Sequence, residues 1–452
     1  MPFGETITAL STPAGEAALA VIRLSGPDCE ALGRACFGPR WSPVPRQASL
    51  CSYKSLNDNT LDKCLALYFA ENASYTGESM LELSLHGSPL IVQLVLEDLL
   101  ARGCRMAEPG EFTKTAFLNG KLDLSQAEAV ADLIHARSTR ALQVAHRQLA
   151  GAIGQRMDAY TKRLLRVQAE LEAYIDFPEE DLPEEDQAGP INAIQTLAAD
   201  ISNLIDTQHY ASLLHDGVQT VILGAPNAGK SSLLNWLAGQ DRVIVSETPG
   251  TTRDVVAERV VVGDFVLQLM DTAGLHASED ALERLGMEKT LAWLDRADFY
   301  LVVLDSASPS PTLPEAALEK IRAGNALVIE NKCDLPGSTD KSDFLPDCPH
   351  LRLSLRTGQG CEALRQGITN ALSAGHHIPH EDELVVSARH AAALTRAIDA
   401  LQATLARLSE GAPPELAASD LRLAVEAFGD VVGKIDNEAM LDQLFAAFCI
   451  GK

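Results

Sequence analysis

The sequence has no CxxC pair, no apolar run near the roughly 20 residues of a membrane span, and an excess of acid over base. Its nine cysteines, at 29, 36, 51, 64, 104, 333, 348, 361 and 449, are odd in number and scattered. They signal neither a disulfide framework nor a structural zinc site. The opening MPFGETITAL lacks a basic segment followed by an apolar one, so no secretory leader is expected there. A reducing, cytoplasmic location and no membrane association are the expectations. Lys plus Arg number 37 against 62 Asp plus Glu, a net charge of −25. That balance argues against a broad basic face for nucleic acid, though not against nucleic acid held locally or by a partner. No repeat of solenoid period is present.

The 452 residues are 46% hydrophobic and 22% charged, the balance of a globular chain, and the length suggests about three domains. Residues 1–118 read as α+β: Ala18–Leu24, Cys64–Phe69 and Met80–His86 are short strand-like runs, and Leu90–Leu100 has helical spacing. From Leu124 the apolar positions recur every three to four residues as far as Ile175, which predicts long helices. The stretch Phe177–Asp186, with two prolines and an acidic cluster, reads as a solvated connector, and a helix is expected over about Pro190–Leu214. Within 216–375, strands at Val218–Leu223, Val255–Val262, Phe265–Met270, Phe299–Leu304 and Ala326–Ile329 alternate with helices, the pattern of a doubly wound α/β domain. Helices then return: Ser387–Leu408, one capped by Ser419 and ending near Gly429, and one from Asp436 to Phe448. The expected fold is multidomain α/β and α. An N-terminal α+β domain (1–118) precedes a discontinuous helical domain (119–215 and 376–452) with an α/β domain (216–375) inserted into it.

Gly224-Ala225-Pro226-Asn227-Ala228-Gly229-Lys230-Ser231 fits G-x-x-x-x-G-K-[ST] between a strand and a helix. That is the context of a P-loop, whose backbone N–H groups and helix N-terminus surround phosphate oxygens. Asn227, Ala228, Gly229, Lys230, Ser231 and Ser232 are the expected phosphate-binding residues. Lys230 reaches the β- and γ-phosphates and Ser231 offers a hydroxyl to Mg²⁺. Four more signals follow in order. Gly250-Thr251-Thr252 carries a second Mg²⁺ candidate, Thr252. Asp271-Thr272-Ala273-Gly274 ends an apolar strand, with Asp271 on the metal's water shell and Gly274 beside the γ-phosphate. Asn331-Lys332-Cys333-Asp334 selects guanine, because the Asp334 carboxylate accepts from N1–H and the 2-amino group, which adenine lacks. Ser354-Leu355-Arg356 supplies a loop over the base edge. Five such pieces in fixed order, each at a strand end, indicate a Mg²⁺-dependent GTP hydrolase domain.

Two catalytic parts are missing. Where Ras-like GTPases place a water-orienting glutamine, this chain has Leu275, which neither donates nor accepts. His276, Glu279, Asp280, Glu283 and Arg284 are the polar candidates nearby. No arginine finger is evident, since Arg253 beside the switch threonines reads as structural. Asn227 and the oxygen-rich run Val245-Ser246-Glu247-Thr248-Pro249-Gly250-Thr251 have the chemistry to hold a monovalent cation in the finger's place.

Over Thr6–Lys452 the sequence resembles one family, the MnmE (TrmE) tRNA modification GTPases. The resemblance rests on Pro13-Ala14-Gly15, Val21-Ile22-Arg23-Leu24-Ser25-Gly26, Tyr75-Thr76-Gly77-Glu78, Pro109-Gly110-Glu111-Phe112-Thr113, Ala116 to Leu124, Ile175-Asp176-Phe177-Pro178 and the terminal Phe448-Cys449-Ile450-Gly451-Lys452. It implies a tetrahydrofolate-binding N-terminal domain that also dimerises, a helical domain and an inserted G domain. It further implies a homodimer that forms a heterotetramer with an FAD-dependent partner, MnmG (GidA). That complex would add an aminomethyl or carboxymethylaminomethyl group at carbon 5 of the wobble uridine in certain tRNAs. The one-carbon donor would be tetrahydrofolate, in its 5-formyl or 5,10-methylene form. By the same resemblance K⁺ is held by Asn227, Ser246, Thr248 and Thr251 and drives G-domain dimerisation. Many members have threonine and isoleucine where this chain has Ser246 and Thr248. Glu283 matches the catalytic glutamate that orients the attacking water through a second water. Arg23, Glu82, Lys121 and Lys452 match the folate site, and Cys449 is a candidate reactive thiol. Its apolar neighbours favour a plain buried cysteine instead. Two other readings stand beside this one: a ribosome-assembly GTPase, which commonly carries a basic RNA-binding domain or a second G domain absent here, and a GTP- and folate-sensing scaffold.

Overall fold

The computed structural model describes residues 5–176, 184–240, 258–271, 293–313, 315–321, 324–375, 379, 383–410, 412–433, 438–446 and 448–451. Its chain contacts divide into two compact units, one of residues 1–131, 148–157 and 429–452, the other of 132–147 and 158–428.

In the first unit the strands are β1 (Ile7–Leu10), β2 (Leu19–Ser25), β3 (Ser49–Lys54), β4 (Thr60–Phe69), β5 (Met80–His86) and β6 (Arg105–Met106). They form a sheet in the order β3-β4-β5-β2-β1-β6, antiparallel except for the β1–β6 pair. Along β2 the side chains alternate. Ala20, Ile22 and Leu24 are buried, and Ile22 and Leu24 pack with Val95 and Leu99 of helix Pro89–Ala101 and with Cys29, Leu32 and Cys36 of helix Cys29–Phe37. The period-2 pleat therefore turns Arg23 to the opposite face, where the register sets it beside Glu82 of β5 and Ala9 of β1. Helix Glu111–Leu118 covers Ile7 and Ala9 with Phe112. Helix Glu438–Ala446 and Phe448 pack on Leu124 and Ala127. Strands β1, β3 and β6 and the helices Cys29–Phe37 and Glu111–Leu118 escape the sequence reading because each is short and most lack an unbroken apolar run.

The second unit contains β7 (Val218–Leu223), β8 (Glu258–Val262), β9 (Phe265–Asp271), β10 (Phe299–Asp305), β11 (Ala326–Asn331) and β12 (His350–Arg352). Their order is β12-β11-β10-β7-β9-β8. All neighbouring pairs are parallel except β8–β9. Strand β10 shows why both faces must be covered. Phe299, Leu301 and Val303 enter one core with Leu233, Leu364 and Ile368, while Tyr300, Val302 and Leu304 enter the other with Leu294 and Ala317. At roughly 1.5–3 kcal/mol for each large side chain buried, six consecutive buried residues commit this strand to the sheet interior. Strand β7 lies between β10 and β9, so chain order reverses across it. That is the switch point at which α/β sheets open a crevice at their carboxyl ends.

The helices of this unit include Glu184–Asp206 and Ala388–Ser409, which pack along one another through residues such as Ile194, Leu197, Leu394 and Leu401. Ser387 and His390 form a capping box at the start of the latter: the His390 N–H donates to Ser387 Oγ and the Ser387 N–H to His390 Nδ1. Several expectations are corrected. The segment after the acidic run is two helices, Glu184–Asp206 and Gln208–His215, broken at Thr207, whose hydroxyl donates to the Leu204 carbonyl at 2.7 Å. Glu184, Glu185 and Asp186, at the end of the expected connector, are helical; residues 177–183 of that connector lie outside the described residues. Ser419 lies inside helix Pro414–Val432, which begins on a proline whose fixed φ suits the first helical position. The last helix is described over Glu438–Ala446; Asp436, Asn437 and residue 447 lie outside the described residues, and Phe448 is no longer helical.

Candidate functional site

The P-loop follows β7 and leads into helix Lys230–Gln240. Two glycines are obligatory. Gly224 has φ +146°, and a Cβ there would stand 2.2 Å from the Val303 carbonyl oxygen. Gly229 has φ +112°, and a Cβ there would stand 2.1 Å from Asn331 Nδ2. Asn227 takes the left-handed region at φ 62° and is exposed at the loop's tip. Ala228 is buried under the loop, and Ser231 and Ser232 are exposed at the helix's first turn. Lys230 is buried, and its Nζ donates to the Gly224 and Ala225 carbonyls at 2.9 Å each. The ammonium thus lies within the loop's own curve. Backbone amides and a buried cation around a glycine-lined hollow are a donor set suited to phosphate oxygens.

The segments expected to read guanine stand on the neighbouring carboxyl ends. Asn331 closes β11, and its side chain ties two loops together. Its Nδ2 donates to the Ala228 carbonyl at 2.8 Å, and its Oδ1 accepts the Leu355 N–H at 3.1 Å. Lys332, at φ 64°, pairs with Asp305 at the end of β10 across 2.7 Å. Burial pushes the Asp305 carboxyl up, but Lys332 and the Ala307 N–H outweigh it and hold it below the usual carboxylate range. Asp334 is exposed, three residues past the end of β11. Ser354 is fully buried and organises the last loop, accepting the Thr357 N–H on Oγ and the Gly358 N–H on its carbonyl. Leu355 is half-buried and Arg356 exposed. The backbone of Asp271 ends β9 in register with Ile222 of β7, one residue short of the P-loop strand's end. Ser246, Glu247, Thr248, Pro249, Gly250, Thr251, Thr252, Thr272, Ala273, Gly274 and Glu283 lie outside the described residues.

In the first unit a second cluster forms on the face of the sheet that carries Arg23. Arg23 Nε and Nη2 meet Glu82 Oε1 at 2.9 and 2.8 Å, and Nη1 donates to the Gly451 carbonyl at 3.3 Å. The guanidinium lies 5.8 Å from the centre of the Tyr75 ring and 5.7 Å from that of Phe112. Burial raises the Tyr75 phenol above its usual value against the opposing pull of its Thr113 hydrogen bond and of Arg23. Lys121 Nζ donates to the Asn72 carbonyl at 2.7 Å, pinning the 72–77 loop that carries Tyr75. The C-terminal tail is fixed by Ser11 Oγ, which donates to the Gly451 carbonyl at 3.1 Å. Lys452 itself lies outside the described residues. Arg23, Glu82 and the segment leading to Lys452 therefore converge, and Lys121 joins them through one loop.

A family model described as the MnmE helical domain matches residues 124–449, and one described as the GTP-binding protein TrmE N-terminus matches 6–121. The chain belongs to the MnmE family. A curated MnmE, the tRNA modification GTPase of Opitutus terrae, is 46% identical over 452 residues, covering 100% of both chains. Its counterpart from Chlorobium chlorochromatii is 38% identical over 467 residues, covering 99% of this chain and 98% of that one. Among solved structures, the G domain of the T. maritima FeoB iron transporter shares 24% identity over 34% of this chain and 98% of its own, at a TM-score of 0.25. At that score the overlap adds nothing to the topology read from the strands.

Within this MnmE framework the sequence reading left out Tyr75 and Phe112 as walls of the Arg23 cluster and Asp305 as the anchor of Lys332. Both aromatics stand in the stretches that carry the family resemblance, and an arginine on a strand face needs a covering partner. That signal was there to be used. Asp305 had none, being the last residue of an apolar strand. One expectation is corrected: Cys449 is exposed. The chain turns out after Phe448, whose ring packs 5.3 Å from Phe445 and leaves the next residue outside the apolar cluster.

Proposed function

We propose that this chain is a K⁺-stimulated GTP hydrolase acting with an FAD-dependent MnmG (GidA) partner. Together they add an aminomethyl-type group, such as carboxymethylaminomethyl, at carbon 5 of the wobble uridine of certain tRNAs, with tetrahydrofolate as the one-carbon source. The observation that carries the nucleotide reading is the Asn331 side chain, which joins the P-loop carbonyl of Ala228 to the 354–356 loop. One residue would thereby couple phosphate binding to base binding. Lys230 would neutralise the β- and γ-phosphates, Asp334 would pair with guanine N1–H and its 2-amino group, and the Leu355 and Arg356 backbone would line the base edge. Ser231, Thr252 and Asp271 would hold Mg²⁺, which spreads charge from the phosphate oxygens. Asn227, Ser246, Thr248 and Thr251 would hold K⁺ in place of an arginine finger, and Glu283 would orient water.

Tetrahydrofolate would sit at Arg23, Glu82, Lys121 and Lys452. The Arg23–Glu82 pair offers adjacent donors and an acceptor of the kind a pterin edge needs, and lysines suit its glutamate tail. Exposed apolar side chains of the first unit, Leu19, Leu50 and Leu90 at 60–72% exposure, support a homodimer through the N-terminal domain. The domain assignment follows: 1–118 folate-binding and dimerising, 119–215 with 376–452 helical, and 216–375 the G domain. Cys449, exposed beside the folate cluster's tail, is available for chemistry on the one-carbon unit.

The test is wobble-uridine modification in a reconstituted mixture of this chain, its FAD-dependent partner and tRNA, comparing wild type with Glu283→Ala. Loss of modified uridine with GTP binding retained supports a turnover-driven enzyme. Undiminished modification would replace it with the scaffold reading.

A further inference from the structure

The second unit contains a cavity of about 610 Å³ that the nucleotide chemistry leaves unused. His135, Arg137, His215, Arg259, Gln268 and Arg296 are among its lining residues, and Gly217 and Gln219 at the start of β7 belong to it too. The P-loop begins at the other end of that strand, at Gly224. At about 3.3 Å per residue the two sites stand roughly 16 Å apart along β7.

The charge here runs against the chain as a whole, whose net charge is −25. Three arginines line it from three segments: Arg137 from the link between helices Leu124–His135 and Thr139–Leu149, Arg259 from β8, and Arg296 from the helical residues 293–296 that precede β10. None of the three is ion-paired to an acid among the described residues. The two lining carboxylates are engaged. Asp216 meets His215 Nδ1 at 3.0 Å, and Asp298 accepts the Gln219 N–H at 2.9 Å. Burial and then the Arg259 charge push the Arg137 guanidinium down, and burial followed by His215 and Arg137 does the same to His135. The cations disfavour one another, and an anion between them removes that repulsion.

We propose that this cavity binds a phosphate-bearing small molecule of nucleotide size, separately from the GTP site, with Arg137, Arg259 and Arg296 as the anion clamp. The volume falls within the roughly 300–1,000 Å³ of small-ligand sites. Planar guanidiniums suit phosphate because each offers two parallel donors. A concavity enclosed by several separate segments fits a compact ligand. An RNA backbone instead calls for an extended basic stripe, whereas these three arginines line one concavity.

The experiment titrates the full chain, with its P-loop saturated by GDP and Mg²⁺, with inorganic pyrophosphate in a calorimeter. One further binding event is expected. The double variant Arg137→Gln, Arg259→Gln should weaken it tenfold or more, with GDP affinity kept within twofold. Arg296→Gln alone, a milder change, should weaken it at least threefold and serves if the double variant does not fold. No second event, or equal affinity in wild type and Arg296→Gln, would overturn the proposal. So would a cavity that takes an RNA stem-loop and ignores pyrophosphate.

Discussion

Asn331 Nδ2 lies 2.8 Å from the Ala228 carbonyl, so the residue that ends β11 also holds the underside of the P-loop. Its other amide atom accepts from Leu355. Asn331→Ala removes both bonds, worth about 1 kcal/mol each. GTP affinity should fall on the order of 30-fold by equilibrium binding, with the rest of the chain still folded. Gly229→Ala attacks the same junction sterically, placing a Cβ 2.1 Å from Asn331 Nδ2 at a φ of +112°, and should abolish nucleotide binding.

Asp334 is the residue expected to choose the base. Asp334→Asn replaces two acceptors with an acceptor and a donor, which suits xanthine's second carbonyl better than guanine's amino group. GTP turnover at low substrate should drop by roughly 100-fold or more, and xanthosine triphosphate should become the better substrate. Unchanged preference in competition assays would remove Asp334 from the base site.

Arg23 makes its contacts within the first unit, to Glu82 and the Gly451 carbonyl, under the rings of Tyr75 and Phe112. Arg23→Gln should lower tetrahydrofolate affinity by roughly tenfold or more, since it removes a charge-assisted hydrogen-bond donor. GTP turnover should stay within about twofold, because no contact of Arg23 reaches the nucleotide residues. Parallel loss of both would mean that Arg23 supports the fold and not a ligand.

Much of this was open to reading from the chain. The strand ends that carry the P-loop and NKxD segments are legible because those segments follow short apolar runs, and strands such as β10 are apolar throughout. Short edge elements are not legible: β6 is two residues long, held by pairing with β1, and carries no pattern of its own. The exposure of Cys449 was hidden for a related reason. Its neighbours are apolar, but which of them reaches the core depends on the turn after Phe448 and on the anchoring of Gly451 to Ser11. Tertiary contacts decide burial there, and local composition does not.

The cysteines should separate cleanly by reactivity. Burial pushes the Cys64 and Cys104 thiols up to about 12, and Cys29 higher still by burial and the nearby Cys104. Cys449 is exposed. Iodoacetamide at about pH 8, followed by peptide mass analysis, should label Cys449 first and leave Cys29, Cys64 and Cys104 unmodified until the chain is denatured. Early labelling of those three would contradict the packing of the first core.

The central claim is that a GTP site with leucine in place of the usual glutamine draws its missing cation from solution, through Asn227 at the tip of the P-loop. Steady-state GTP hydrolysis in KCl against NaCl, for wild type and Asn227→Ala, tests it most directly. The account predicts stimulation of at least about tenfold by K⁺ in wild type, on the scale of one lost transition-state charge contact, and none in the variant. Equal rates in both salts, or full K⁺ stimulation surviving in Asn227→Ala, would contradict it.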